Sequence, residues 1–505
     1  MIGGFTVSQV TEVIKLRRKV LVEIARLSFS GDLGANVGSI LNTVVTEDGP
    51  RYRCCIHKER AVLNERIKLA LSQASGLELV EAAQNALNGS VTDMPIVHVM
   101  PIACDACPID KFLVTNACRN CLAHNCINSC PKKAIMVVQN RAYIDKNRCV
   151  ECGLCKKSCS YGAIIEVNRP CEGACDIGAI KAGSDRRAII DYDKCVQCGG
   201  CKTACPFGAI TDRSVIVQLI QQLKSDKKVH AMLAPSFIGQ FGAKVKPSQV
   251  VSALKQLGFY DVCEASFGAD IVTLEETREF VTSVPEEKAF MTTSCCPAFV
   301  GMVEKHLPEI SPNVSSTVSP MVASGKLIKE NDEKAIVTFI GPCIAKKAEG
   351  TKYPDIIDYV ITFEELMCMM VGAGINIAEI GEGEYVTSAS TDGNAFAKAG
   401  GVVQAVLDTA AVLTPDVEIK THRCEGLGNC KTALLQMKSG KIDANFFEGM
   451  ACEGGCVGGP GVLTNSKVTS KLVENFASAA KMATAVENDS ANEEIKKHHH
   501  WHRNQ

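Results

Sequence analysis

The sequence predicts a multidomain protein of mixed α/β and α+β class, in which small cysteine-rich modules precede one large α/β domain. Three observations carry this reading. The chain has 505 residues, enough for two or three separate cores. A six-residue pattern, Cys-x-x-(Lys/Gly)-Ala-Ile, recurs four times between residues 100 and 210. From Val229 onward, short apolar runs ending in Pro, Gly or Cys alternate with amphipathic stretches, the rhythm of parallel strands and covering helices. The divisions implied are a mostly helical region over 1–95, the cysteine-rich modules over 96–215, the large domain over 216–480 and a disordered tail over 481–505.

The first region opens with Val13-Ile14-Lys15-Leu16-Arg17-Arg18-Lys19-Val20, which alternates charge and apolar groups as an amphipathic helix does. It lacks the apolar centre and small-residue cleavage site of a signal peptide, and no stretch approaches 18 uninterrupted apolar residues, so a cytoplasmic protein without a membrane partner is expected. The charges nearly cancel, 54 basic against 56 acidic, which gives no footing to nucleic acid. Oligomeric state is left open. Cys54-Cys55 lies in a basic segment (Arg51, Arg53, His57, Lys58, Arg60) and has no assignment, because vicinal cysteines rarely bind one cluster.

The chain holds 27 cysteines, an odd number, and many stand at Cys-x-x-Cys spacing. In a reducing compartment that spacing holds metal rather than disulfides. Two runs, Cys149/Cys152/Cys155/Cys159 and Cys195/Cys198/Cys201/Cys205, have the spacing of a bacterial ferredoxin half-motif, where three thiolates wrap one cubane and the fourth crosses to its partner. A third, Cys118/Cys121/Cys126/Cys130, carries a two-residue insertion that includes His124, read as a surface residue. A fourth is incomplete: Cys171 and Cys175 have no pair just upstream, but Cys104 and Cys107 lie further back. The repeat ends, at 130, 159, 175 and 205, form pairs 29 and 30 residues apart, which suggests two ferredoxin-like modules in series. Sixteen cysteines between 104 and 205 suffice for four 4Fe-4S clusters. The cross-over pairing would be Cys118/Cys121/Cys126 with Cys159, Cys149/Cys152/Cys155 with Cys130, Cys195/Cys198/Cys201 with Cys175, and Cys104/Cys107/Cys171 with Cys205. Three clusters, or a module pairing the halves at 149 and 195, are the alternatives.

In the large domain, the runs Ala289–Thr293 and Ala335–Ile340 lead straight into cysteines, which places reactive groups at the carboxyl ends of parallel strands. Three segments stand out: Thr293-Ser294-Cys295-Cys296-Pro297, Gly341-Pro342-Cys343-Ile344-Ala345-Lys346-Lys347-Ala348-Glu349, and Phe446-Phe447-Glu448-Gly449-Met450-Ala451-Cys452-Glu453-Gly454-Gly455-Cys456. Together they resemble the three signature segments of the iron-only (FeFe) hydrogenases.

The resemblance, which covers about residues 100–465, implies a two-lobed α/β hydrogenase catalytic domain with its metal centre between the lobes. Cys296, Cys343, Cys452 and Cys456 would ligate a 4Fe-4S cluster, and Cys456 would also bridge to a two-iron unit with CO, cyanide and an azadithiolate, the whole being the H-cluster. Lys346, Pro235, Ser236 and Met450 would contact that cofactor. Glu349 and Glu448 would brace it from behind. Two adjacent cysteines cannot readily share one corner of a cubane, and the family uses the residue at Cys295 as a proton donor. Glu276 and Glu279, three apart on one helical face, and Ser315 would carry the proton outward. Burial is expected to raise both carboxyl pKa values.

The activity implied is reversible reduction of protons to H₂, with electrons from a small ferredoxin or flavodoxin and with maturation proteins delivering the two-iron unit. The rival is a non-catalytic relative, either a hydrogen or redox sensor or an iron–sulfur assembly factor. Thr-Ser-Cys-Cys-Pro-Ala-Phe combined with Ala117–His124 is similar to the clostridial group B branch. Four pocket positions depart from the commonest family pattern: Phe299, Gly341, Met321 and Gly459-Pro460-Gly461. Cys424 and Cys430 are read as buried structural thiols, and the end of the chain, His498-His499-His500-Trp501-His502, as part of the disordered tail.

Overall fold

A computed structural model describes residues 10–498 and 501–503. Helices Glu12–Ser30, Ile56–Ala70 and Leu79–Leu87 fill the first region. The longest begins at Thr11, whose hydroxyl accepts the N–H of Ile14, and stops at Gly31 in the left-handed conformation. Its apolar face buries Val20, Leu21, Ile24 and Leu27 in the main core. Cys54 and Cys55 are exposed at the start of the second helix.

The cysteine-rich region consists of very short antiparallel strands and one-turn helices. Phe112–Val114 pairs with Ile164–Glu166, enclosing a hairpin of Ile135–Val138 and Arg141–Ile144. Val97–Val99 pairs with Ile210–Asp212, enclosing the equivalent hairpin of Ile180–Ala182 and Ala188–Ile190. The two modules are therefore nested rather than serial: residues 112–166 form an inner module inserted into an outer one built from 97–107 and 170–212.

The six-residue repeat has a common physical cause. In each copy the alanine N–H donates to the cysteine sulfur four residues earlier: Ala134 to Cys130 at 3.3 Å, Ala163 to Cys159 at 3.3 Å, Ala179 to Cys175 at 3.2 Å and Ala209 to Cys205 at 3.4 Å. The residue before the alanine must turn left-handed to allow this. Gly162, Gly178 and Gly208 have φ of 58°, 65° and 59°, and Lys133 is forced to 48°. The isoleucine that follows enters the small core of its module.

The large domain has two parallel sheets, each exposing its carboxyl ends toward the same region. The first runs in the order Asp261–Glu264, Val229–Leu233, Ile336–Gly341, Tyr359–Thr362. The second runs Met291–Thr292, Phe446–Met450, Thr421–Glu425. Near-continuous apolar strands such as Val229–Leu233 suit sheets covered on both faces. The protein thus combines ferredoxin-like modules with a two-sheet α/β domain. Among the described residues no helix is long and apolar enough to cross a membrane.

The end of the chain corrects the expectation of disorder. Asp489–Lys497 is helical, with Asn488 accepting the N–H of Ala491, and Trp501 is 2% exposed. A lone indole in a polar segment has enough apolar area to anchor it. Residues 499, 500, 504 and 505 lie outside the described set.

Candidate functional site

The cysteines of the modules gather into four sets. One hollow is lined by Cys118, Cys121, Cys126 and Cys159, a second by Cys130, Cys149, Cys152 and Cys155, and a third by Cys104, Cys107, Cys171 and Cys205. In the fourth, the thiols of Cys195, Cys198 and Cys201 lie close enough to Cys175 to raise one another's pKa in addition to the larger effect of burial. Each first pair encloses a left-handed residue: Ala106, Asn120, Glu151 and Gln197 have φ of 48°, 47°, 54° and 55°. Cys104-Asp105-Ala106-Cys107 therefore has the same backbone turn as the three complete motifs. His124 lines the first hollow with its Nε2 3.2 Å from Asn120 Oδ1.

The outer module docks directly on the large domain. Lys305 donates to the carbonyls of Tyr192 and Cys195, each at 2.9 Å, and Cys198 packs into the cluster that contains Phe299, Cys296 and Cys343. A buried charge network locks the regions together. Lys347 reaches Asp212 and Glu365 at 2.8 Å each, Lys202 reaches Asp212 at 2.5 Å, and Arg17 reaches Glu364 at 2.7 Å.

In the large domain, Cys295 and Cys296 follow the strand Met291–Thr292, Cys343 follows Ile336–Gly341, and Cys452 and Cys456 follow Phe446–Met450. Cys296 caps the helix Pro297–His306 and Cys456 lies in the turn Gly455–Gly458. That turn requires glycine: Gly454 and Gly455 have φ of 81° and 79°, and a Cβ on Gly458 would stand 2.0 Å from the carbonyl of Glu453. The thiols of Cys296, Cys343, Cys452 and Cys456 perturb one another electrostatically, so the topology brings all four together. Burial, reinforced by neighbouring thiols, pushes Cys343 and Cys456 up to about 12 and Cys452 well above the ordinary thiol value. A buried thiol set of this kind fits a metal cluster, because cluster binding replaces the protons that burial otherwise retains. The Ser236 hydroxyl, in the turn Pro235–Phe237, is buried without a partner. Met450 is buried at the end of its strand.

Lys346 donates to the Cys295 carbonyl at 3.2 Å and to Glu349 at 2.6 Å, and Ser319 also donates to Glu349 at 3.1 Å. Burial opposes its charge, but Glu349 and the nearby thiols outweigh that and its pKa is raised. Glu448 accepts the N–H groups of Gly400 and Val403 at 2.6 and 2.7 Å, bracing the start of the helix Gly401–Leu413. Phe299 lies against Gly449, where any Cβ would stand 2.1 Å from its ring, and stacks on Phe447 at 5.9 Å. Gly341 is covered by the ring of Phe339 in the same way, and Met321 is buried. Cys430 is buried, with its thiol donating to the carbonyl of Cys424 at 3.3 Å.

From Cys295 a line of exchangeable groups runs outward along the helix Ala265–Ser283. Burial, then the charge of Glu276, keeps Cys295 a neutral thiol with its pKa raised well above normal. Glu276 is fully buried; its Oε1 accepts the N–H and hydroxyl of Ser294 at 2.9 and 3.2 Å, and its Oε2 has no partner. Burial raises its pKa to about 7. The Ser315 hydroxyl interacts with Glu276 and donates to Glu279 Oε2 at 2.8 Å. Glu279 departs from expectation. Burial pushes it up, but Lys288 at 2.7 Å, the Ser316 N–H and Ser315 together bring its pKa below normal. Sequence reasoning missed Ser294 and Lys288. The first was signalled by its place next to Cys295, the second by nothing local, since it reaches the helix across a turn.

Residues 227–460 match the family described as iron only hydrogenase large subunit, C-terminal domain, and residues 142–165 and 188–211 match the 4Fe-4S binding domain. The chain is 30% identical over 335 residues to the periplasmic Fe hydrogenase large subunit of Nitratidesulfovibrio vulgaris, covering 54% of this chain and 79% of that protein. It is 33% identical over 293 residues to iron hydrogenase 1 of Clostridium pasteurianum, covering 47% of this chain and 50% of that one. It is also 26% identical over 271 residues to the cytosolic Fe-S cluster assembly factor narfl of Xenopus tropicalis, covering 43% and 56%. The chain spans about half the length of the last two relatives. With 79% of a hydrogenase large subunit matched at 30% identity, around cysteines that the two sheets bring to one centre, the chain belongs to the iron-only hydrogenase family.

Proposed function

We propose that the protein is a catalytic hydrogenase that interconverts protons and hydrogen, 2H⁺ + 2e⁻ ⇌ H₂, from the group B branch of its family and in the cytoplasm. The observation that carries this reading is the Cys295–Glu276–Ser315–Glu279 line, because a proton path has a use only where protons react. The H-cluster, when bound, supplies the reversible two-electron chemistry. Cys296, Cys343, Cys452 and Cys456 would hold it, and Lys346 and Ser236 offer donors to its anionic groups. Cys295 then gives or takes the proton at its sulfur. Glu276, poised near neutrality, exchanges it inward with Cys295 and outward through Ser315 to Glu279.

Four 4Fe-4S clusters are proposed as the electron path, supported by the four repeated turns and the four cysteine sets. Cys198, which packs beside Cys296 and Cys343, marks the set next to the catalytic centre. Anaerobic iron analysis before the two-iron unit is supplied should give about 20 iron atoms per chain, and about 16 would remove one accessory cluster. Electrons would enter at the inner module. Residues 112–166 carry eight Lys and Arg against three Asp and Glu, whereas the outer module, 97–107 with 170–212, carries five against seven. Arg119, Lys132, Lys133, Arg148 and Lys157 are exposed on this module, as is Leu122 beside Cys121, at 96%. This surface suits an acidic ferredoxin or flavodoxin.

The second reading, a non-catalytic iron–sulfur assembly factor, is favoured by the similarity to narfl. Infrared spectroscopy of anaerobic protein supplied with the two-iron precursor by its maturation proteins separates the two. Sharp CO and cyanide bands with hydrogen turnover are expected. Intact 4Fe-4S signals without those bands would replace the catalytic reading with the assembly one.

A further inference from the structure

The matched hydrogenase segment ends at residue 460, yet the last described residues return to the outer end of the carboxylate path. Trp501 is anchored in the main core, with its indole N–H donating to the carbonyl of His498 at 2.9 Å. The N–H of Val318 donates to the Trp501 carbonyl at 2.8 Å, and that of Arg503 to the Ser316 carbonyl at 2.7 Å. An antiparallel bridge pairs Thr317 with His502. Residues 501–503 thus add a short strand to the loop 316–318, which also holds Glu279. His502 Nδ1 lies 2.7 Å from the Ser316 hydroxyl, while the Ser316 N–H reaches both Glu279 oxygens, at 3.0 and 2.9 Å. Glu279 itself is only 9% exposed, whereas the His502 side chain is 28% exposed.

We propose that His502 is the solvent-side end of this chain's proton path, exchanging protons between bulk water and Glu279 through Ser316. The proposal rests on the hydrogenase reading above. A proton from water adds to His502 Nε2. With the serine χ1 rotated so that Oγ lies between the two groups, the Nδ1–H bond breaks as a new bond forms to Ser316 Oγ, while the Ser316 O–H bond breaks and its hydrogen passes to the Glu279 carboxylate. One proton enters, one leaves, and no electron moves; hydrogen uptake runs the same steps backward. An imidazole is suited to this place because it both accepts and releases protons near neutrality. The charged groups facing it are Glu275, 3.8 Å from Nε2 and itself paired with Arg278, then Glu279 with Lys288, and Arg503 with Glu304.

The test uses the loaded full chain carrying His502→Asn, which leaves Trp501 in place and keeps an amide near the Nδ1 position. Hydrogen turnover should fall roughly tenfold with an altered pH profile, small imidazole in the buffer should restore it, and the infrared bands should be unchanged. An unchanged profile overturns the proposal, and so does a loss that imidazole cannot rescue. A second readout needs no turnover. The ring resonances of His502, followed by NMR of ring-labelled histidine, should change in Glu279→Gln; no change overturns the proposed link. If the unaltered protein turns over no hydrogen, the exit role falls with the hydrogenase reading, and a surviving change of the His502 resonances would locate that failure in the catalysis and not in the docking of the tail.

Discussion

Burial and the charge of Glu276 together keep Cys295 protonated. The thiol is buried against a carboxyl group whose charge opposes its ionisation, and the carboxyl group is itself buried, with one oxygen unpartnered and the charge of Glu279 nearby. Cys295→Ala should lower hydrogen turnover by ~10²-fold or more while leaving the CO and cyanide bands in place; surviving turnover would move the path elsewhere. Glu276 also makes stability depend on pH. Between its ordinary value of 4.5 and about 7 the folded protein holds a proton that the unfolded chain has lost, so its contribution is full below 4.5 and is lost as pH climbs to about 7. Glu276→Gln has no such loss. Its advantage in denaturation midpoint over the unaltered protein should grow by about 1 kcal/mol from pH 6 to pH 8, and a constant difference would mean that Glu276 is already ionised. The residues of the proposed path were readable from the family resemblance and the three-residue spacing of Glu276 and Glu279. The opposite shifts of Glu276 and Glu279 were not, because Lys288 and the Ser316 N–H arrive from segments that only tertiary structure brings near.

Among elements, the fourfold turn shows how much a short pattern can encode. Its cysteine, alanine and isoleucine were legible as a repeat, and the variable Lys/Gly position is the one that turns left-handed. Lys133 is the exception among three glycines, holding φ of 48° with a side chain that disfavours it. Lys133→Gly should stabilise the inner module by about 1 kcal/mol, read as a higher denaturant midpoint for the cluster signals of that module; a lower midpoint would show that the lysine contributes more than its backbone strain costs. The nesting of the modules was not legible. Its decisive pairs, Val97–Val99 with Ile210–Asp212 and Phe112–Val114 with Ile164–Glu166, are three residues long and far apart in sequence, too short for any periodicity to show.

The whole molecule is asymmetric in charge while nearly neutral in sum, a fact that composition alone conceals. The basic excess lies on the inner module, and the buried network of Lys202, Lys347, Asp212, Glu364, Glu365 and Arg17 ties the outer module and the first helix to the catalytic domain. Lys132→Glu combined with Lys133→Glu and Lys157→Glu should slow electron transfer from an acidic carrier protein by about tenfold at low ionic strength. The effect should shrink with salt, and turnover with an uncharged dye should not change; an equal loss with the dye would indicate damage to the clusters instead. Parallel strands were expected from the runs that end in cysteines, and two lobes from the family resemblance. The ordered tail was hidden by its polar composition, although the single tryptophan of the chain lies in it.

The nesting has a consequence for how such a protein can be altered. The inner module leaves and rejoins the outer one through adjacent, paired strands, Phe112 standing opposite Glu166, so its two ends are already side by side. It is a cassette with one socket. Excising it and joining the flanking chain by a short turn would leave the outer module's own strand pair closed, and a different carrier-reading module could be plugged into the same place. Which redox partner the protein answers to, on the function proposed above, would then be decided by an exchangeable part that lies wholly outside the chemistry it feeds.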